Sequence, residues 1–138
     1  MVKELWLNLP VKSIKKSRDF FTKMGFSFNP RFGEGDNMAG LMVGTKGAIV
    51  MLIQETQFEK FARVKVADVK QAAEVLISID AESRSEVEDL AKKATAAGGI
   101  LFSRPEEVQG WMYGCAFADP DGHRWNVLYM DMAKMPKG

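Results

Sequence analysis

Apolar and polar positions along this chain follow two different periods, and the points where one gives way to the other mark its elements. Leu5 to Val11 reads as a short strand on which Trp6 and Asn8 share a face. The period then lengthens. Ile14, Phe20, Phe21 and Met24 supply the apolar stripe of a helix, and Gly25 stands where a left-handed cap would end it. Strands are predicted at about 26–29, 38–44 and 47–54, with Gly33-Glu34-Gly35-Asp36-Asn37 and Thr45-Lys46-Gly47 as turns. Glu74 to Ile79 reads as another opening strand. Ser83 and Glu86 form a capping-box pattern, and the helix after them places Val87, Leu90, Ala91, Ala94 and Ala97 on one face until Gly98 and Gly99 stop it. Strands are predicted again at about 100–103, 111–118 and 124–130.

The last two of these flank a tight turn at Asp119-Pro120-Asp121-Gly122, where proline presets φ and glycine supplies a positive φ. Beyond the turn, Arg124, Asn126 and Leu128 share one face and Trp125, Val127 and Tyr129 the other. Asn126 is the residue of this strand best placed to reach a ligand or a metal.

Each half thus reads strand, helix, three strands, a weak internal duplication. Residues 55–73 connect the halves, with one or two short helical turns expected around Phe58, Phe61 and Ala67 to Ala73. One βαβββ unit cannot bury its sheet alone. Two side by side can curl into a cleft lined by both sheets, so ligand-contacting residues are expected on matched strands of the two halves. The prediction is an α+β fold of curved mixed sheet. It is a single domain over residues 1–138, with module one at about 4–54 and module two at 74–131.

Composition narrows the picture. With 138 residues and 46% hydrophobic content the chain can bury one real core. A net charge of +1 gives no field for nucleic acid, and the local cluster Lys12, Lys15, Lys16 and Arg18 reads as a solvated helix face rather than a phosphate site. The one cysteine, Cys115, excludes an internal disulfide and suits a reducing cytoplasm; it lies in an apolar run and reads as a small core residue, not a nucleophile. No signal peptide and no membrane-spanning apolar run is visible, so a cytoplasmic location without a membrane is expected. Nine methionines and nine phenylalanines fill an ordinary core or line a wall that adapts to apolar ligands.

The segment Leu9-Pro10-Val11-Lys12-Ser13-Ile14, running on through Phe20-Phe21 to Met24-Gly25-Phe26, joins Asp119-Pro120-Asp121-Gly122-His123-Arg124-Trp125-Asn126-Val127 and the repeat in one pattern. That pattern resembles the glyoxalase I / bleomycin-resistance / extradiol dioxygenase superfamily, also called the vicinal oxygen chelate family, over roughly residues 4–131. The resemblance is specific to a fold and not to a reaction. It implies a divalent metal held by one side chain from the first and one from the last strand of each half, usually His, Glu or Gln. The matching positions here are Trp6, Met51, Glu74 and Asn126. Only Glu74 is a good ligand for such an ion. Asn126 is a weak neutral donor, Met51 a soft thioether, and Trp6 offers no lone pair. No metal and no other cofactor is therefore expected.

Without a metal these positions become binding wall. Trp6, Asn8, Met51, Glu74, Trp111 and Asn126 are the expected ligand-contacting residues, suited to a small, partly aromatic molecule carrying a cation or a hydrogen-bond donor. Glu74 reads equally as a solvated carboxylate at the strand entrance. His123 is read as a turn residue rather than a base, and Arg31 and Arg104 as solvated loop arginines. Three functions stay open: a metal-free binding protein, as the bleomycin-resistance members of the family are; a glyoxalase-like lyase, isomerase or dioxygenase with atypical ligands; and a non-catalytic dimeric interaction module. The resemblance also implies a homodimer.

Overall fold

The computed structural model describes residues 1–33 and 35–137; Glu34 of the expected 33–37 turn and the terminal Gly138 lie outside them. The chain divides into two compact units, Met1–Asp68 and Val69–Gly138. The fold is α+β, with one four-stranded mixed sheet in each unit.

In the first unit β1 (Leu7–Val11) leads into α1 (Ile14–Lys23), then β2 (Ser27–Asn29), a 3-10 turn at Pro30–Phe32, β3 (Met38–Val43), β4 (Ala48–Gln54) and α2 (Glu55–Ala62). The sheet order is β1-β4-β3-β2, with β1 parallel to β4 and the other pairs antiparallel. Helix α1 starts where Ser13 accepts the Lys16 N–H at 3.2 Å, and it buries Ile14, Ser17, Phe20 and Phe21. Phe20 and Phe21 meet edge to face at 5.0 Å. The helix ends at Gly25, whose φ of 95° lets the Phe26 N–H turn back to the Phe21 carbonyl. Leu9, Val11, Ala39, Leu41, Val50 and Leu52 complete this core on the α1 side. Ladder register then forces Asn8, Met51, Gly40 and Asn29, partners across four strands, onto the opposite face.

In the second unit β5 (Leu76–Ala81) leads into α3 (Arg84–Ala96), β6 (Ile100–Val108), β7 (Met112–Ala118) and β8 (Arg124–Met130), in the order β5-β8-β7-β6. The capping box forms: Ser83 Oγ accepts the Glu86 N–H at 3.1 Å, and Glu86 Oε1 accepts the Glu82 N–H at 3.2 Å. Val87, Ala91 and Ala94 are buried on α3, and Phe117, Trp125 and Val127 are buried in the sheet beneath. The Phe117 and Trp125 rings stack with centroids 6.2 Å apart. The β7–β8 turn is organised by a buried carboxylate. Asp119 Oδ1 accepts the Asp121 and His123 N–H groups, both at 3.0 Å, and Oδ2 accepts the Trp125 indole N–H at 3.1 Å. Burial pushes the Asp119 carboxyl above the usual range, while the His123 charge and the Trp125 N–H oppose that rise.

Several expected boundaries move. Strand β5 begins at Leu76, two residues beyond Glu74, because its end is fixed by the Ser83 cap and Ala81 is its last buried position. Strand β6 runs to Val108, well past 103; register shifts at Leu101/Ser103 and Ser103/Glu106 let an edge strand carry Pro105. Strand β7 begins at Met112, so Trp111 lies in the preceding turn. The connector holds one helix, α2, which starts directly after β4. Ala67 to Ala73 forms no helix, being shorter than an isolated helix needs and burying no apolar stripe.

The Asp119→Ala variant is expected to lose about 3 kcal/mol of stability, since three N–H donors lose their acceptor. Urea unfolding measures this. A loss under about 0.5 kcal/mol would show that the turn does not depend on the carboxylate.

Candidate functional site

Unit 1 gathers three of the expected contact residues. Trp6, one residue before β1, shares the side of the strand with Asn8, and Asn8 is the ladder partner of Met51. Trp6 is 51% exposed, a large aromatic left in contact with solvent, while Met51 is half-buried. Met38 and Met42 on β3 alternate onto this same face, away from α1. Between them lies Gly40, and Phe32 sits over it: a Cβ on Gly40 would come 2.7 Å from the Phe32 Cβ. The segment that carries Phe32 is held in place from both sides. Asn29 Oδ1 accepts the Arg31 N–H at 3.0 Å, and the Arg18 guanidinium donates to the Gly33 carbonyl at 3.1 Å. Phe32 was not among the expected residues. Its signal was Asn29-Pro30, a helical-turn start that aims the next aromatic back over the sheet.

Unit 2 presents a different surface. Asn126 lies on the face of β8 away from α3, and its side-chain N–H reaches Ser78 Oγ at 3.4 Å. Arg124 shares this face, with its guanidinium carbon 4.1 Å from the Phe102 ring centroid. Ser78 has a signal in the repeat. Counted from the helix caps Ser13 and Ser83, it occupies the position of Asn8.

The same count corrects the expected quartet. Trp6 stands seven residues before Ser13, and seven before Ser83 stands Leu76, not Glu74. Glu74 is an exposed residue ahead of β5. Trp111 lies in the turn before β7, outside the strand. Arg31 and Arg104 are exposed, and His123 is buried in its turn.

By that count the positions to which the resemblance assigns the superfamily's metal are Trp6, Met51, Leu76 and Asn126. Their donors amount to one amide oxygen and one thioether, which does not fit a hard or borderline divalent ion. Among the described residues no three His, Cys, Asp or Glu side chains come together to hold one elsewhere. Cys115 donates to the Val87 carbonyl at 3.7 Å beneath α3, and burial pushes its thiol up to about 11. Two other features lie on the α3 side. A groove of about 510 Å³ runs between α3 and β6 beside Ala91, Thr95, Leu101 and Pro105. Arg84 pairs with Glu107 and lies over Tyr113, whose hydroxyl is 3.2 Å from Glu88. Neither includes a candidate residue.

Residues 5–127 match the Glyoxalase/Bleomycin resistance protein/Dioxygenase superfamily, and the chain belongs to it. Among solved structures, a hypothetical protein from S. aureus is similar at 31% identity over 94% of each chain, with a TM-score of 0.81. A glyoxalase-related enzyme from Fulvimarina pelagi is 17% identical over 100% of this chain and 94% of its own, with a TM-score of 0.82. A glyoxalase/bleomycin resistance protein/dioxygenase family enzyme from Burkholderia phytofirmans PsJN is 18% identical over 91% and 96%, with a TM-score of 0.76. The last two share the fold alone. No curated protein matches the chain. Among the described residues no helix is long and apolar enough to cross a membrane.

In the folded protein at pH 8, Cys115 should resist alkylation by iodoacetamide and react within minutes once urea unfolds the chain. Rapid modification of native protein, followed by mass spectrometry, would contradict both its burial and its raised pKa.

Proposed function

We propose that this protein binds a small, partly aromatic organic molecule on the sheet faces away from its helices, and that it does so without the divalent metal of the superfamily's enzymes. One observation carries the reading. On the unit 1 face Asn8 is the ladder partner of Met51 and Met51 of Gly40, Phe32 packs on the buried Gly40, and Trp6 stands exposed just ahead of the strand. Stacking on an aromatic plate beside adaptable thioethers suits a planar ligand, and one amide fixes its orientation. Asn126 and Ser78 offer the matching amide and hydroxyl in unit 2. Glu74 and Trp111 lie outside the strands, so the proposal rests on Trp6, Asn8 and Met51 in unit 1 and on Asn126 in unit 2. Homodimer formation, implied by the resemblance, belongs to this same proposal.

The substitutions at the metal positions support sequestration or binding over metal-assisted chemistry. They are a tryptophan, a methionine, a leucine and an asparagine, where the resemblance leads one to expect His, Glu or Gln.

Calorimetry on chelator-treated protein tests the proposal. Zn²⁺, Ni²⁺ and Mn²⁺ at micromolar concentration should give no stoichiometric heat, and 2-naphthamide should bind. Trp6→Ala should weaken that binding about tenfold, which is about 1.4 kcal/mol. Stoichiometric metal binding would favour the metal-dependent lyase, isomerase or dioxygenase instead. A protein that responds to neither metal nor aromatic compound would be an interaction module.

A further inference from the structure

The face of the unit 2 sheet away from α3 is graded in charge. Ladder register defines three rungs on it. Leu76, Arg124, Ala118 and Ile100 form the first; Ser78, Asn126, Ala116 and Ser103 the second; Asp80, Leu128, Gly114 and Glu106 the third. One end is therefore cationic, the middle is neutral and hydrogen-bonding, and the far end carries two carboxylates. Successive rungs on one face are about 7 Å apart, so the two charged ends are separated by about 13 Å. That exceeds the Debye length at physiological ionic strength, and the acids do not neutralise Arg124.

Arg124 is the informative residue. It is half-buried, its guanidinium lies over the Phe102 ring, and none of the ion pairs among the described residues includes it. The ring contact offers the cation a π face and leaves it N–H donors for an oxyanion. Phe102 comes into reach because β6 shifts register between Leu101 and Ser103, so a local irregularity of the edge strand builds the contact. One rung away, the Ser78 hydroxyl and the Asn126 amide form a weak pair at 3.4 Å that a better partner can displace. Between the flanking strands β7 contributes only the small, buried Ala118 and Ala116 to these two rungs, while Ser78 and Phe102 on the outer strands are exposed.

We infer that this face recognises an aromatic carboxylate, with the carboxylate on Arg124, the ring beside the exposed Phe102, and a polar substituent on Ser78 and Asn126. A single guanidinium matches a single carboxylate, and its planar fork fits one bidentately. The acidic rung opposes the reversed orientation. Arg124 is thus a specificity residue within the binding function proposed above, on which this inference rests.

The test compares 2-naphthoate with its neutral isostere 2-naphthamide by calorimetry, on wild type, Arg124→Gln and Arg124→Lys. Wild type should prefer the carboxylate by about tenfold at low ionic strength, a preference that shrinks as salt is added. Arg124→Gln should abolish the preference, so that the two probes bind this variant about equally. Arg124→Lys, which keeps the charge without the fork, should retain part of it and guards against a folding defect in the glutamine variant. Equal binding of the two probes by wild type, or a preference that survives in Arg124→Gln, would overturn this inference and leave the broader binding function standing. Failure of both probes to bind wild type would overturn the two together.

Discussion

The carboxylate of Asp119 fixes which side of β8 faces the core. Its Oδ2 holds the Trp125 indole N–H at 3.1 Å, and its Oδ1 holds the backbone of the turn that starts the strand. With Trp125 locked inward against Phe117, alternation sends Arg124 and Asn126 outward. A slip of one residue would bury a guanidinium and expose an indole. The residues that could meet a ligand in unit 2 therefore take their direction from a group that never touches that face. Unit 1 reaches a similar result by other means. There the α1 cap at Ser13 and the buried Leu9 and Val11 set the register of β1, and Asn8 follows onto the open face.

The two faces divide the chemistry between them. Unit 1 offers an exposed tryptophan, three methionines and a phenylalanine packed over a glycine, with Asn8 as its polar anchor. It carries dispersion and stacking, and little directional information. Unit 2 offers a guanidinium, an amide and a hydroxyl on neighbouring rungs. It carries charge and hydrogen bonds, and those discriminate between ligands of similar shape. The two sheets share one strand order and differ in the chemistry of these faces.

Much of this was legible in the residues because it is local. The Ser83–Glu86 box, the apolar stripe of α1, the glycine after it and the Asp-Pro-Asp-Gly turn each act over a few positions, and each folds as read. The start of β5 was harder. Glu74-Val75-Leu76-Ile77 has the composition of a strand, yet Val75 and Leu76 are exposed, and the register is set from the far end by the Ser83 cap. The Ser83 cap places Leu76, not Glu74, at the position that answers to Trp6. The contacts of Phe32 with Gly40 and of Arg124 with Phe102 were out of reach for another reason. One needs a 3-10 turn folded back on its sheet, and the other needs a register shift in an edge strand. Neither is encoded in a period.

The same separation of inward and outward positions means that side chains at the positions the resemblance assigns to a metal can be exchanged at little cost in stability. Core packing depends on Leu9, Val11, Leu52, Phe117, Trp125 and Val127, all on the helix side. The metal positions alternate with them on the other side, where Trp6 and Leu76 are exposed and Met51 and Asn126 half-buried. Replacing a ligand there by tryptophan, methionine or leucine removes a charge that would need a counterion and leaves no cavity in the core. Stability thus depends on one face of each sheet and little on the other. The residues on that second face are therefore set by something other than core packing: apolar surface in one unit, and in the other a guanidinium that lies over an aromatic ring.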